Sequence, residues 1–276
     1  MTMRVVAPGK LVVAGEYAVL DGAPALVAAV DRGVACVVEP ADQIEITTPG
    51  DDRFVRAALD GAPPARYTFA DDNPVRGLGG KPGFGGSAAA TVAATAAAGF
   101  PAERAYAVHE RVQGGGSGID VYASIHGGFR QFELNRPPSP PLAPVAIGAA
   151  WPGQSASTGP RVQQYRAWRG REAFVQASRE IVLGFAGEPV RALRENYALL
   201  RAMAREAGIV YDLDAFAQID RLAATFGGAA KPSGAGGGDI AVVLFPTDEE
   251  LRAFGRACPE FIPLRIAPGA YPLPQS

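Results

Sequence analysis

Lysine is nearly absent from this chain: three residues in 276, at positions 10, 81 and 231, against 23 arginines. Cysteine, histidine and tryptophan are as scarce, with two of each. Cys36 and Cys258 stand far apart in apolar company, which argues against a disulfide framework or a cysteine-rich metal site and for a reducing cytoplasm. Residues 1–10 lack the apolar core of a signal peptide, and the small-residue run at 88–98 is too short and too weakly apolar to span a bilayer. A net charge of −2 provides no overall field toward nucleic acid or an anionic membrane. The expectation is a soluble cytoplasmic protein, monomer or homodimer, with neither kind of partner. Any anion binding must be local.

What the chain has in abundance is glycine, 34 residues, much of it in clusters. At 81–99 the sequence KPGFGGSAAATVAATAAAG sets glycines 83, 85 and 86 and one serine before about three turns of alanine. Glycine permits tight turns and close backbone approach, and alanine is the strongest helix former, so a flexible loop feeds a helix N-terminus. The first amides of such a helix lack intrahelical partners and carry the positive end of its dipole, a ready site for phosphate. Ser87 is either the N-cap or a hydroxyl turned toward a metal. The same segment is also compatible with packing alone.

Each lysine lies in or beside a glycine-rich stretch: VAPGKLVVAGEY, GGKPGFGGS and AKPSGAGGGD. A compact ammonium acts as a point charge on phosphate and is not replaced by a planar guanidinium without loss. The pattern therefore predicts that lysine persists where loops meet a phosphate.

Taken in order, strands are expected at 4–6, 11–14, 25–30, 34–39 and 44–47, with turns at 7–10 and 31–33. Residues 49–80 read as a long surface connection holding one short helix near 54–59. Helices follow at 88–98 and 102–112, then a glycine cluster at 114–118 that closes on Asp120, read as an acid on a tight loop. The five prolines within 136–144 mark the expected boundary between a domain at 1–140 and one at 141–276. The second half is mainly helical, at 160–168, 171–185, 189–207, 213–226 and 248–257, with strands at 145–150, 240–245 and 261–266. A dinucleotide fingerprint is disfavoured, because no clear strand precedes 83–86 and the order at 234–238 reads as helix then strand. The Walker A frame is missing too.

Three segments in this order, APGKLVVAGEYAVLDG, PGFGGSAAA and KPSGAGGGD, resemble the motifs of the GHMP kinases over nearly the whole length. Finer features resemble the branch of that family acting on 5-phosphomevalonate: Glu16-Tyr17 where the mevalonate branch usually carries Glu-His, the segment SASTGPRVQQY, and Asp239 after the triple glycine. The resemblance implies an α+β, two-lobed fold, with a β-rich N-terminal lobe and a helix-rich C-terminal lobe containing a small antiparallel sheet. It implies an ATP- and Mg²⁺-dependent transfer of phosphate to a small molecule. By position, Lys81, Gly83, Phe84, Gly85, Gly86, Ser87 and Ala88 would hold ATP, and Ser87 and Glu110 the Mg²⁺. Lys10 and Asp120 would be catalytic. Lys10, Glu16, Tyr17, Ser117, Ser155, Ser157, Ser233 and Gly236 would bind the acceptor, with an arginine among Arg161, Arg166 and Arg169 as a further candidate.

Two departures from the family pattern stand out. Gly-Phe-Gly-Gly-Ser replaces the usual Gly-Leu-Gly-Ser-Ser, and the chain is short at 50–80, which leaves the adenine contacts open. Asp120 as a turn residue and Glu110 as a solvated helix residue are the plainer readings. His109 and His126 read as polar or packing residues. Mevalonate kinase, a mevalonate-type decarboxylase and a non-catalytic binding protein are the competing functions.

Overall fold

The computed structural model describes residues 2–74, 83–153 and 159–271. Strands β1 (Met3–Ala14), β2 (Ala25–Glu39), β3 (Glu45–Thr47), β4 (Arg66–Asp72) and β5 (Phe129–Phe132) form one sheet in the order β1-β2-β4-β3, with β5 also on β2. Strands β6 (Ala146–Ala150), β7 (Ala229–Pro232), β8 (Ala241–Phe245) and β9 (Phe261–Ile262) form a second, antiparallel sheet in the order β7-β8-β6-β9. Helices α1 (Arg53–Ala58), α2 (Gly86–Ala97), α3 (Glu103–Gln113) and α4 (Ile119–His126) accompany the first sheet in sequence. Helices α5 (Gly159–Ala167), α6 (Arg171–Gly184), α7 (Pro189–Ala207), α8 (Asp214–Thr225) and α9 (Asp248–Ala257) accompany the second. This is the two-lobed α+β architecture expected from the motifs. Among the described residues, no helix is long and apolar enough to cross a membrane.

The first two strands are longer than their turn signals predict. Pro8-Gly9 does not end β1, nor does Asp31-Arg32-Gly33 end β2; the two interruptions face each other, because the register passes from Ala7↔Val34 to Gly9↔Val30. Proline lacks a ladder donor and a bulge tolerates it, so the paired strands bend there instead of breaking. The Pro8 carbonyl accepts from the Ser124 hydroxyl at 2.7 Å, which ties α4 to the bulge.

Strands β4 and β7 lie where a surface connection and a helix-to-loop passage are expected. In β4 the pattern is hidden by the acidic residues that follow it, and only Tyr67 and Phe69 point inward. The alanine face of α2 is fully buried, with Ala88, Ala89, Val92 and Ala93 packed near Cys36 and Phe69 of the first sheet. Such small side chains let the helix backbone approach the sheet closely and fix where its N-terminus emerges.

Candidate active site

The glycine loop reaches α2 through left-handed backbone at Gly83 (φ 84°) and Gly85 (φ 77°), a region L-residues enter only at a cost. Gly85, not Ser87, is the N-cap; Ser87 is the second residue inside the helix. The first helical bond runs from Ala89 N–H to the Gly85 carbonyl at 3.0 Å. The amides of Gly86, Ser87 and Ala88 precede it in the turn whose donors have no intrahelical acceptor. The Phe84 side chain is buried among Leu11, Phe129 and Trp151, and its carbonyl accepts from Lys10 N–H at 2.9 Å. Phe84 thus anchors the loop to β1, and only its backbone is left to meet a ligand.

Below this loop, Lys10 on β1 faces Asp120, with Nζ 3.7 Å from Oδ1. Asp120 is the second residue of α4, not a loop residue as the glycine cluster suggests. Glycines 114, 115, 116 and 118 all adopt positive φ, which turns the chain sharply from α3 into α4. Ser117 Oγ accepts from Ile119 N–H at 3.4 Å at that entry. An acid in the first turn of a helix is favourably placed on the dipole. A Cβ added at Gly85 would lie 3.1 Å from Lys10 Cγ, 3.3 Å from Lys10 Cε and 3.6 Å from Asp120 Oδ2. Glycine here lets the loop sit directly on the Lys10–Asp120 pair.

On the other side of Ser87 stands His109, expected from the sequence to be a polar or packing residue. His109 Nε2 is 3.3 Å from Ser87 Oγ, and its buried ring stacks near Phe54 with centroids 5.3 Å apart. Burial pushes its pKa down, with the Asp120 charge opposing, which biases the imidazole toward its neutral form. Glu110, next along α3, is exposed and lines the same cleft. Among the described residues, no three His, Cys, Asp or Glu side chains converge as a metal cage.

The third glycine motif is stitched to the first. Ser233 Oγ accepts from Val12 N–H at 2.9 Å, and the Tyr17 hydroxyl donates to the Ala235 carbonyl at 2.6 Å. Gly234 N–H reaches Glu16 Oε1 at 3.4 Å, and Lys231 Nζ donates to the same oxygen. Lys231 is on β7 and fully buried, so it offers no ammonium to a phosphate; with Lys10 on β1, two of the three lysines occupy strands, not loops. Tyr17 (φ 61°, ψ −52°) is the centre of a tight turn in which Ala18 N–H reaches the Glu16 carbonyl at 2.7 Å, a rare and strained geometry for a non-glycine residue. Burial, with the Glu16 charge adding to it, drives the Tyr17 hydroxyl pKa well above its usual range.

Beside the loop, a cavity of about 790 Å³ is lined by Lys10, Glu16, Tyr17, Glu110, Asp120 and Ser233, among others. Gly236 is not among the residues lining it and packs against the ring and carbonyl of Tyr211. Arg161 donates to the Val210 carbonyl at 3.0 Å and stands beside Gly237, whereas Arg166 and Arg169 are exposed on or just beyond α5. Lys81, Ser155 and Ser157 lie outside the described residues.

The fold is that of the GHMP kinases. Solved structures of mevalonate kinase and of Lactococcus lactis galactokinase share it along nearly the whole chain. So does the Lin0012 protein from Listeria innocua, with a TM-score of 0.83 and 22% identity over 97% of this chain and 98% of that one. Streptococcus pneumoniae phosphomevalonate kinase, solved in complex with phosphomevalonate and AMPPNP, matches with a TM-score of 0.75 and 18% identity over 93% of this chain and 95% of its own. In sequence, the chain is similar to the phosphomevalonate kinase of Streptomyces sp. (strain CL190), at 28% identity over 88% of this chain and 89% of the relative. No protein-family model matches.

Proposed function

We propose that this protein transfers the γ-phosphate of ATP to 5-phosphomevalonate, giving ADP and 5-diphosphomevalonate, as an enzyme of the reducing cytoplasm with an N-terminal nucleotide-binding domain at 1–140. The observation that carries the reading is the convergence at Gly85. An amide-rich helix N-terminus, a lysine and an aspartate meet within one side chain's reach of each other. Phosphoryl transfer has little covalent chemistry for a protein to do beyond positioning and charge stabilisation. Similarity to kinases over most of the chain supports the same reading.

The amides of residues 86–88 would hold the polyphosphate, and Lys10 would stabilise charge on the oxygens of the group in flight. The acceptor phosphate oxygen attacks the γ-phosphorus, and the bond to the bridging β–γ oxygen breaks as ADP leaves. A phosphate monoester is nucleophilic without a base, so the task of Asp120 is to orient Lys10 rather than to remove a proton. Glu110 lines the cleft beside His109, whose Nε2 is 3.3 Å from Ser87 Oγ, and the Glu110 carboxylate and Ser87 hydroxyl are hard oxygen donors of the kind Mg²⁺ takes in small number beside substrate phosphates and water. When bound, Mg²⁺ would neutralise charge between the β- and γ-phosphates. Ser233, held by Val12 N–H, and Arg161, beside Gly237, are the acceptor-side candidates.

Mevalonate kinase is the second reading, because a hydroxyl acceptor would use Asp120 as its base, and a Methanothermobacter thermautotrophicus mevalonate kinase is 30% identical over 47% of this chain and 50% of its own. Coupled ADP release on 5-phosphomevalonate, mevalonate and homoserine separates the two. Turnover on 5-phosphomevalonate without CO₂ is the expected result. Preference for mevalonate would move the assignment to that branch, and CO₂ release to a decarboxylase.

A further inference from the structure

Lys10, Glu16 and Lys231 at the seam between the first and third motifs, with Asp120 of α4, form an ordered set that phosphate transfer alone does not explain. Glu16 and Lys231 are buried together, 4% and 0% exposed, and Lys231 Nζ also donates to the Pro232 carbonyl at 3.0 Å. The second Glu16 oxygen, Oε2, is buried without a partner among the described residues. On the far side of Gly234 stands Lys10: a Cβ at Gly234 would lie 3.9 Å from Lys10 Nζ, while the same glycine's N–H bonds Glu16. Glu16 and Lys10 therefore flank one glycine, and each already has an opposite partner, Lys231 and Asp120 respectively.

We propose that Lys231 is a positioning residue: by holding Glu16 within the seam it keeps that carboxylate off Lys10, which stays directed at Asp120 and the transferring group. A buried ion pair stripped of one partner leaves an uncompensated charge, which the fold must neutralise from whatever cation is near. Here that cation is Lys10. The neighbouring hydroxyls do not compete for the role, since Tyr17 donates to Ala235 and Tyr211 to Pro232, the latter at 3.5 Å. Burial also holds both phenols protonated and biases Lys231 toward its neutral form, with Glu16 opposing. The Coulomb coupling that makes Glu16 a hazard to Lys10 is strongest in such a low-dielectric pocket. Lys231 acts on the reaction only through Glu16 and Lys10.

The scarcity of lysine makes the proposal directly measurable. With three lysines in the chain, a spectrum of protein labelled with [ε-¹³C]lysine holds three resonances, assignable one variant at a time. In Lys231→Met, the Lys10 resonance should shift from its wild-type position, and in the double variant Glu16→Gln/Lys231→Met it should return, because both buried charges are gone. An unmoved Lys10 signal in folded Lys231→Met, or an equal shift in the double variant, overturns the proposal. Should Lys231→Met not fold, Lys231→Gln, which keeps a donor toward Glu16 but not the charge, carries the same comparison.

The kinetic arm rests on the phosphotransfer reading. Lys231→Met should lower kcat about 10-fold or more with the KM for ATP unchanged, and the double variant should regain most of that kcat, any direct contact of Glu16 with the acceptor appearing in the acceptor KM. Unchanged kcat in folded Lys231→Met contradicts the proposal. Absence of ADP release from the wild type contradicts the phosphotransfer reading alone, and the resonance test still decides the role of Lys231.

Discussion

Replacing Gly85 by alanine tests whether the glycine loop works by contact with the Lys10–Asp120 pair. Gly85 has φ 77°, and an alanine in left-handed backbone costs about 1–2 kcal/mol. Part of this is offset by the lower entropy of the unfolded chain, about 0.4–1 kcal/mol, so the net loss of stability should be about 1 kcal/mol. The new methyl carbon would start 3.1 Å from Lys10 Cγ, inside the ordinary carbon contact distance of about 3.5–4.0 Å, so the lysine must shift by several tenths of an ångström. Since a misplacement of ~1 Å can cost ~100-fold in rate, kcat should fall about 10-fold, which is roughly 1.4 kcal/mol of transition-state stabilisation. Gly86→Ala is the stability control. It is the first helical residue and its added Cβ meets nothing within 4 Å, so its denaturation midpoint should be unchanged or slightly raised. Urea unfolding gives the first quantity, and steady-state ADP release the second. Wild-type kcat in Gly85→Ala, or an equal loss of stability in Gly86→Ala, would refute the reasoning.

Three other outcomes follow from the geometry. Lys10→Ala should lower kcat by about 100-fold and Asp120→Asn by clearly less, because a phosphate acceptor needs no base; equal losses would favour a hydroxyl acceptor. Burial raises the thiol pKa of Cys36 to about 12 and of Cys258 to about 11, so the native protein should show almost no thiol titre with a disulfide reagent at pH 8 and two thiols once unfolded. Burial, with Arg130 adding to it, holds the His126 pKa below its ordinary 6.5. Between the lowered value and 6.5 the unfolded chain takes up a proton that the folded chain refuses, so stability should fall as pH drops through 6.5 and level off below the folded pKa. Denaturation midpoints from pH 7.5 to 5.5 should show a smaller decline in His126→Gln, and an identical decline would contradict this.

Much of the site was legible because its chemistry demands particular residues at fixed places in the chain. Gly83 and Gly85 need positive φ, and the alanine run can only be a close-packed helix, so loop and helix could be read together. What stayed hidden depends on pairing between distant segments. Pro8-Gly9 and Asp31-Gly33 each read as a turn, and only their alignment across β1 and β2 makes them a shared bend. Lys231 looks like a loop cation until β7 buries it against Glu16, a residue 215 positions away. His109 carries no motif signal of its own; the spacing from Ser87 becomes meaningful only when α2 and α3 lie side by side. The strain at Tyr17 likewise leaves no trace in composition.

The central claim is that the amides at the start of α2, backed by Lys10, receive the polyphosphate of a nucleotide. A crystal structure of the wild-type protein with Mg²⁺ and AMPPNP tests it most directly. The account predicts the β- and γ-phosphates on the N–H groups of residues 86–88, with Lys10 Nζ beside the γ-phosphate and the metal on Ser87 and Glu110. A nucleotide seated away from Gly85, or no binding of MgAMPPNP in the crystal or by calorimetry, would contradict it.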